Sequence, residues 1–524
     1  MDLSEILKKL QISAEDICSL NHSKPSGDHD CPVARALRHI QDMLKSKTLE
    51  DVVVILGFSE QLFRMADDSW LLPDVPDSEL RSLFLHFVKS LTCYAALPVC
   101  DTDSGTVAPD FYKDIPVRAC AVTAVLQSLL FRLGDTAHRT KRSLTRALAP
   151  CISVFAVTHL QDQSWTSDAS RKDAVALLAS VAGATGHSSV PDMLSGRTTD
   201  DDAGLVQEVL DIVKPELTKD NWKRSQATRH VFFWILVQVK RPCLVYHLET
   251  VFPPSLLISD DYHLDNKVLG VKCLHHIILN VPAADLRQFN RAQVLYHALF
   301  NHLYTSETAL LQVVLPCLFD LLSVLEKSPA DVSCPRRRNR YDEVMCHVLT
   351  YMEMEDKIRL RHLYASTLVP FIERMGIVIV RHLKRLEMVI VGYLEISDGP
   401  EETTRLAVLT ALEKTIQVAW PRMECRMPVL GRSLLRLLCD VTRETQPPEV
   451  REALLAKTTR CLQLLDYSSQ GKLRAILRDV DDTCANETVL ECIQKVIGSP
   501  LPDCCRNTVD SCLGVERQPG GLCQ

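Results

Sequence analysis

The sequence has little glycine and few aromatic residues: its 524 residues include 18 Gly, and Phe, Trp and Tyr together make up 6%. Sheet-rich folds draw on aromatic and β-branched residues that alternate with polar ones, and such period-two runs are nearly absent here. A leucine-rich composition with so little glycine instead favours helices. A sheet-rich fold is therefore disfavoured, and an all-α protein is predicted.

The sequence also lacks an excess of positive charge. Lys and Arg number 59 against 66 Asp and Glu, which gives a net charge of −7. That balance provides no overall field for nucleic acid or an anionic membrane, so neither is predicted as a partner. The length exceeds that of a single compact core, so we expect several domains or one extended array.

The 20 cysteines include no Cys-x-x-Cys pair, so neither a zinc site nor a redox motif is predicted. Several lie on apolar helical faces, where cysteine behaves as a small buried hydrophobe. These are Cys120, Cys273, Cys317, Cys439 and Cys461. No secretory signal is recognised, and no run approaches the 18 apolar residues of a membrane-spanning helix. We therefore expect a reducing location, cytoplasmic and nuclear.

Catalytic motifs are missing as well. The sequence contains no Gly-x-Gly-x-x-Gly, no phosphate-binding loop, no His-Glu-x-x-His and no Gly-x-Ser-x-Gly. Adjacent His275 and His276 point to different faces of a helix, so they do not form a metal site. The sequence predicts no catalytic residue, no cofactor and no metal.

A short signature recurs near the starts of predicted helices. It combines an acidic residue or proline, a β-branched residue, arginine and small apolar residues, and its β-branched positions Ile358, Thr404 and Val450 are each 46 residues apart. Such a period is typical of paired-helix repeats that bury their apolar faces only against their neighbours. We therefore predict an all-α, HEAT-type α-solenoid of antiparallel helix pairs. The signature arginines are expected to hold the array together: Arg118, Arg359, Arg405 and Arg451.

The regularity of the signature divides the chain into three predicted regions. Residues 1–204 form an N-terminal helical region with irregular repeats and polar loops, and residues 205–498 form a regular array. Residues 499–524 lose the helical periodicity and are predicted to be a disordered tail.

Two groups of residues are predicted to bind a partner. Trp420, Arg422 and Met423 follow a predicted helix and combine residue types enriched at binding hot spots. A tryptophan that caps the core between two repeats is an equally good interpretation. The second group lies where a β-branched run leads into a basic helix. This segment is interpreted either as a partner- or phosphate-binding face or as a buried helix with one solvated basic edge. Its residues are Arg381, Lys384 and Arg385.

A basic run, Arg336–Arg340, separates two of the repeats. Such a run is typical of a nuclear-import signal, of a contact with a polyanion, or simply of a solvated loop. The residues alone leave these three interpretations open.

The order of several segments resembles the Tti-two family (Tel-two-interacting protein two). The resemblance rests on Asp260-Asp261-Tyr262, on Lys267–Leu274 and on Met375–Leu386, and it extends over residues 220–470. It implies a non-catalytic scaffold that binds Tti-one directly and joins Tel-two in the trimeric TTT complex. That complex, with the ninety-kilodalton heat-shock chaperone, supports maturation of phosphatidylinositol-3-kinase-related kinases in DNA-damage, telomere and growth signalling.

Two other functions remain compatible with the residues. A transport adaptor of the karyopherin kind is also a HEAT array, although this chain is short and only mildly acidic for that class. An enzyme with an unrecognised active site is the third hypothesis.

Overall fold

The computed structural model describes residues 31–46, 48–73, 76–100, 107–134, 138–196, 204–327, 337–480 and 486–499, which are helices, turns and loops without a strand. The all-α prediction is confirmed. The contacts divide the chain into two units, Met1–Pro282 and Ala283–Gln524. The boundary expected near residue 204 lies within the first of them, between two short helices.

The first unit contains twelve α-helices within the described residues. They are α1 Pro32–Ser46, α2 Leu49–Met65, α3 Asp68–Leu71, α4 Asp77–Tyr94, α5 Ile115–Leu133, α6 Arg139–Leu160, α7 Asp168–Ala184, α8 Val190–Ser195, α9 Val206–Val213, α10 Gln226–Gln238, α11 Leu248–Ser259 and α12 Leu264–Asn280. Helix α5 packs against both α2 and α7, and α6 packs against α4 and α7. The apolar residues of α5 recur at helical spacing and are buried, as in Val122, Leu126 and Leu129, so each helix completes the core of its neighbours.

The second unit contains eleven α-helices within the described residues. They are α13 Ala283–Arg287, α14 Arg291–Asn301, α15 Thr308–Leu325, α16 Arg340–Met354, α17 Ile358–Met375, α18 Leu383–Leu394, α19 Thr403–Ala419, α20 Met427–Arg443, α21 Pro448–Ser468, α22 Lys472–Arg478 and α23 Glu487–Ile497. Helices α16, α18 and α20 stack in one layer, and α15, α17, α19 and α21 stack in a second. This two-layer order confirms the predicted HEAT-type arrangement of helix pairs.

Two of the four signature arginines join neighbouring helices as predicted, and in α17 that role falls on a different residue. Arg405 is 1% exposed and pairs with Glu444, and Arg451 donates to the carbonyl of Thr442 at the end of the preceding helix. In α17 the corresponding contact is made by Arg361, which donates to the carbonyl of Glu355 and lies 3.8 Å from the ring centroid of Tyr393. The predicted Arg359 is exposed.

Three of the cysteines named in the sequence are fully buried in helices: Cys273, Cys317 and Cys461. Burial raises the pKa of all three thiols. A thiol in such a site stays protonated and acts as a small apolar group, which confirms the interpretation for these three. Cys120 and Cys439 are half-buried.

We expected that no segment is apolar enough to span a membrane. Judged by helix length and composition alone, this expectation is wrong. Four helical stretches of the described chain meet those two conditions: Pro109–Leu133, Arg139–Leu160, Thr308–Leu325 and Ile358–Leu394. The expectation counted uninterrupted apolar runs, whereas a long helix can be apolar on average with a few polar residues interspersed. In each stretch, between 44% and 61% of an apolar segment of 18 residues is buried inside the protein.

Candidate partner-binding surface

The predicted binding residues come together at one edge of the second unit. Each helix of the second layer is followed by a connection that leads into the next helix of the first layer. Two successive connections are the 3-10 helix Gly376–His382, which leads into α18, and residues 420–426, which lead into α20. Because paired helices are antiparallel, these connections lie along the same edge.

Ion pairs between successive repeats define this edge. Arg381 lies 2.8 Å from the carboxylate of Asp342 at the start of α16, and Arg426 lies 2.9 Å from Glu387 in α18. Lys472 contacts Glu424 in the same manner one repeat later. Asp342 and Glu387 are buried, at 4% and 7% exposure, so their charges require these partners. The pairs are therefore parts of the array.

Two residues of the basic group are occupied by such internal pairs. Arg381 is bound to Asp342, and Arg385 makes a bidentate contact with Glu353, with both N···O distances 2.9 Å. Hydrogen bonding from Arg385 lowers the pKa of Glu353, and hydrogen bonding to Glu353 raises the pKa of Arg385. Lys384 is exposed and has no carboxylate partner in the described residues. Of this group, Lys384 is therefore the residue whose charge is available.

The second predicted group separates into surface and core. Trp420 is 42% exposed and Arg422 is exposed, whereas Met423 is fully buried. Met423 therefore offers no surface to a partner, while Trp420 and Arg422 do. The contact prediction for these residues stays a prediction.

Two further cations at the same edge belong to the basic run Arg336–Arg340, for which contact with a polyanion was one of the three interpretations. Arg337 and Arg338 are exposed and immediately precede α16, and the carbonyl of Arg337 accepts a hydrogen bond from Arg381. Arg336, the first residue of the basic run, lies outside the described residues. We call the four exposed cations Arg337, Arg338, Lys384 and Arg422 the basic edge.

An aromatic cluster between α14 and α16 was missed by sequence reasoning. The ring of Phe300 in α14 lies 5.3 Å from that of His347 in α16, and the ring of Tyr304 lies 4.7 Å from His347. Tyr304 is 62% exposed. The signal was the spacing of Tyr296, Phe300 and Tyr304 at four-residue intervals, which places aromatic side chains on one helix face.

The first unit has a mainly apolar groove of about 380 Å³ that contains a buried histidine. His159 lines the groove, is 1% exposed and packs against the ring of Phe155 at 4.7 Å. Its Nδ1 atom has no hydrogen-bond partner within the described chain. Burial lowers the pKa of His159 to about 4, so the imidazole is neutral at physiological pH.

We expect His159 to make the stability of the first unit depend on pH. The unfolded histidine takes up a proton near pH 6.5, whereas the folded one does so near pH 4. Stability present above pH 6.5 is therefore lost as the pH falls towards 4, by about 2 kcal/mol between pH 7 and pH 5. Urea unfolding at the two pH values should show a smaller decline for His159→Gln. The variant His297→Gln, at an exposed histidine of the other unit, should retain the whole decline; an equal decline in all three proteins would contradict this assignment.

The segment that carries the family resemblance has a structural explanation. Asp261 is 5% exposed, pairs with Lys223 at 2.7 Å and accepts a hydrogen bond from Asn266 at 2.7 Å. Burial opposes its ionisation, but the hydrogen bonds from Asn266 and Lys223 outweigh burial and lower its pKa. The ammonium of Lys223 also lies 4.3 Å from the ring centroid of Tyr262. These contacts tie the turn before α10 to the turn before α12.

The same segment contains a glycine at a close approach of two helices. A Cβ atom on Gly270 would lie 2.2 Å from the backbone nitrogen of Ser259 and 2.7 Å from the carbonyl carbon of Ile258. Glycine therefore lets α12 cross α11 at backbone contact. The Asp-Asp-Tyr…Lys-x-x-Gly segment accordingly serves packing within the first unit.

The architecture defines the class: an all-α protein built of HEAT-type helix pairs. The sequence model of the Tti2 family matches residues 176–400. TELO2-interacting protein 2 of Rattus norvegicus is 46% identical over 396 residues, which cover 74% of this chain and 77% of the relative. The Homo sapiens protein of the same name is 49% identical over 354 residues, covering 67% and 69%. The chain belongs to the Tti2 family, as the resemblance predicted.

Two solved structures are also similar. Kap95p, in a structure with RanGDP, has a TM-score of 0.48 at 12% identity. The match covers 98% of this chain and 62% of the Kap95p chain. Kap121p bound to RanGTP has a TM-score of 0.46 at 13% identity, covering 94% and 44%.

Proposed function

We propose that the chain is a non-catalytic scaffold subunit of the TTT complex and holds Tti-one and Tel-two in a hetero-trimer. The observation that carries the proposal is 46% identity to a TELO2-interacting protein over three quarters of the chain. The surface features agree with a binding role, because exposed tryptophan and arginine at one edge are residue types enriched at protein interfaces.

In this role the complex acts with the ninety-kilodalton heat-shock chaperone on phosphatidylinositol-3-kinase-related kinases, in cytoplasm and nucleus. In that assembly the chain would position its partners by presenting a binding surface, and it would catalyse no reaction. The karyopherin alternative predicts binding that depends on the nucleotide state of a small GTPase. No contact of the described residues favours that alternative.

We expect the tagged 524-residue chain, co-expressed with Tel-two and Tti-one, to co-elute with both in size-exclusion chromatography. The double variant Trp420→Ala/Arg422→Ala should lower partner recovery by about tenfold or more, since hot-spot truncations cost about 2 kcal/mol. As a matched control, Tyr246→Ala/Arg443→Ala removes an exposed aromatic residue and an exposed arginine elsewhere.

Two results would count against these assignments. A monomer that elutes without either partner would overturn the scaffold proposal. Undiminished recovery with folded Trp420→Ala/Arg422→Ala would instead reject only the location of the contact. Depletion of the chain in cells should also lower the steady-state levels of the kinases, and unchanged levels would reject the role in their maturation.

A further inference from the structure

We propose that the basic edge of the second unit binds an acidic segment of a partner polypeptide. The inference rests on the proposed scaffold function, because a scaffold recruits a segment by presenting a binding surface and catalyses no reaction. It goes further by naming the surface and the charge of the segment. Arg337, Arg338, Lys384 and Arg422 supply the four positive charges.

The charge at this edge is unbalanced although the whole chain is acidic. The net charge of the chain is −7. At the edge, however, Asp342, Glu387 and Glu424 are each taken up by an ion pair with Arg381, Arg426 or Lys472. One more carboxylate at the start of α16, Glu343, accepts a hydrogen bond from Tyr296, so the four cations outnumber it. No ion pair joins any of the four edge cations to a carboxylate of the described chain. The local excess of positive charge is therefore a property of the folded array, and it is complementary to an anionic partner.

The four cations are not needed to hold the repeats together. The connections are fixed by the pairs that Arg381 and Arg426 make with buried carboxylates, whereas Lys384 and Arg422 are exposed. Exposed charges without partners contribute little to stability. These side chains lie on successive connections, and their charges are consequently available for binding.

The spacing suits an extended polypeptide. Lys384 is three residues from Glu387 in α18, and Arg422 is four residues from Arg426 in the connection before α20, so the Glu387–Arg426 contact places the two cations in neighbouring repeats. Packed helices lie about 9 Å apart, so the edge from Arg338 to Arg422 covers two repeats, or roughly 20 Å. An extended chain covers that distance with about six residues.

The edge fits a polypeptide better than a nucleic acid or a membrane. Trp420, 42% exposed beside Arg422, provides an apolar face for a side chain of the segment. Proteins that bind nucleic acid tightly make about six to ten phosphate contacts and usually carry an overall positive field, and this chain has four cations at the edge and a net charge of −7. We therefore assign the ligand as an Asp/Glu-rich segment with at least one apolar residue.

Fluorescence anisotropy with the full-length chain tests this assignment. The probe is a fluorescein-labelled peptide of about twelve Asp and Glu residues with one central leucine. We expect saturable binding that weakens with added salt, and Lys384→Glu/Arg422→Glu should weaken it by about tenfold or more. The control Arg359→Glu/Arg443→Glu makes the same charge change at two exposed arginines on the opposite edge of the array and should change the affinity less than about twofold.

The outcomes separate this inference from the proposed function. Absence of saturable binding, or equal weakening by both double variants with unchanged helical circular dichroism, overturns the inference. An RNA of about twelve nucleotides, or a phosphatidylserine vesicle, that binds more tightly than the peptide through the same residues also overturns it. If the peptide does not bind but Tel-two still co-elutes with the chain, this inference alone is rejected. If the peptide binds but Tel-two does not co-elute, the proposed function alone is rejected.

Discussion

Replacing Arg405 with alanine is expected to lower the free energy of unfolding of the second unit by about 3–5 kcal/mol. The Arg405 guanidinium lies 2.9 Å from Glu444 and 3.5 Å from Glu402, and the side chain of Glu402 is fully buried. Without Arg405, Glu402 is left buried without its cation. Burial, which already raises the pKa of Glu402, also keeps out the water that could replace the lost pairing.

Urea unfolding followed by circular dichroism measures this effect, and Arg359→Ala is the matched control. Arg359 occupies the same place in the repeated sequence signature but is exposed, so its removal should change the free energy by less than about 0.5 kcal/mol. The double variant Arg405→Met/Glu402→Gln should recover part of the loss because it removes both charges. A loss below about 1 kcal/mol for Arg405→Ala would contradict the structural role of the signature.

Much of the fold was predictable because helix formation is encoded locally. The period of 46 residues placed Ile358, Thr404 and Val450 near helix starts, and α17, α19 and α21 begin at Ile358, Thr403 and Pro448. Apolar residues at helical spacing, acidic residues and proline in the first turn are short-range signals that need no knowledge of neighbouring repeats. The helix pairs could therefore be located from sequence alone.

The roles of individual arginines were less predictable. The signature aligned Arg359 with Arg405, but Arg361 makes the contact in α17. A shift of two residues along a helix turns the direction of the side chain by about 200°. A small error in register therefore moves a residue from the core to the surface. The same limit applied to the basic edge. Which cations remain available depends on carboxylates 39 residues away, as in the Asp342–Arg381 pair, and sequence spacing does not show that pairing.

Replacing Gly270 with alanine is expected to destabilise the first unit by about 3 kcal/mol or more, although alanine has a higher helix propensity than glycine. Alanine in an open helical site stabilises by about 1 kcal/mol relative to glycine. At Gly270, however, the added Cβ would lie 2.2 Å from the nitrogen and 2.4 Å from the Cα of Ser259, both backbone atoms. Backbone cannot move aside as the end of a side chain can, so α11 and α12 would have to separate.

The variant Gly57→Ala makes the same change where no atom beyond the adjoining backbone of its own helix lies within 4 Å of the new Cβ. Gly57 lies inside α2 of the same unit, so we expect this variant to be neutral or more stable by up to about 1 kcal/mol. The opposite signs of the two glycine changes, measured as shifts of the thermal unfolding midpoint, distinguish close helix packing from helix propensity. A stabilised Gly270→Ala would mean that α11 and α12 are not held at backbone contact, and the Asp-Asp-Tyr…Lys-x-x-Gly segment would then require an explanation other than packing.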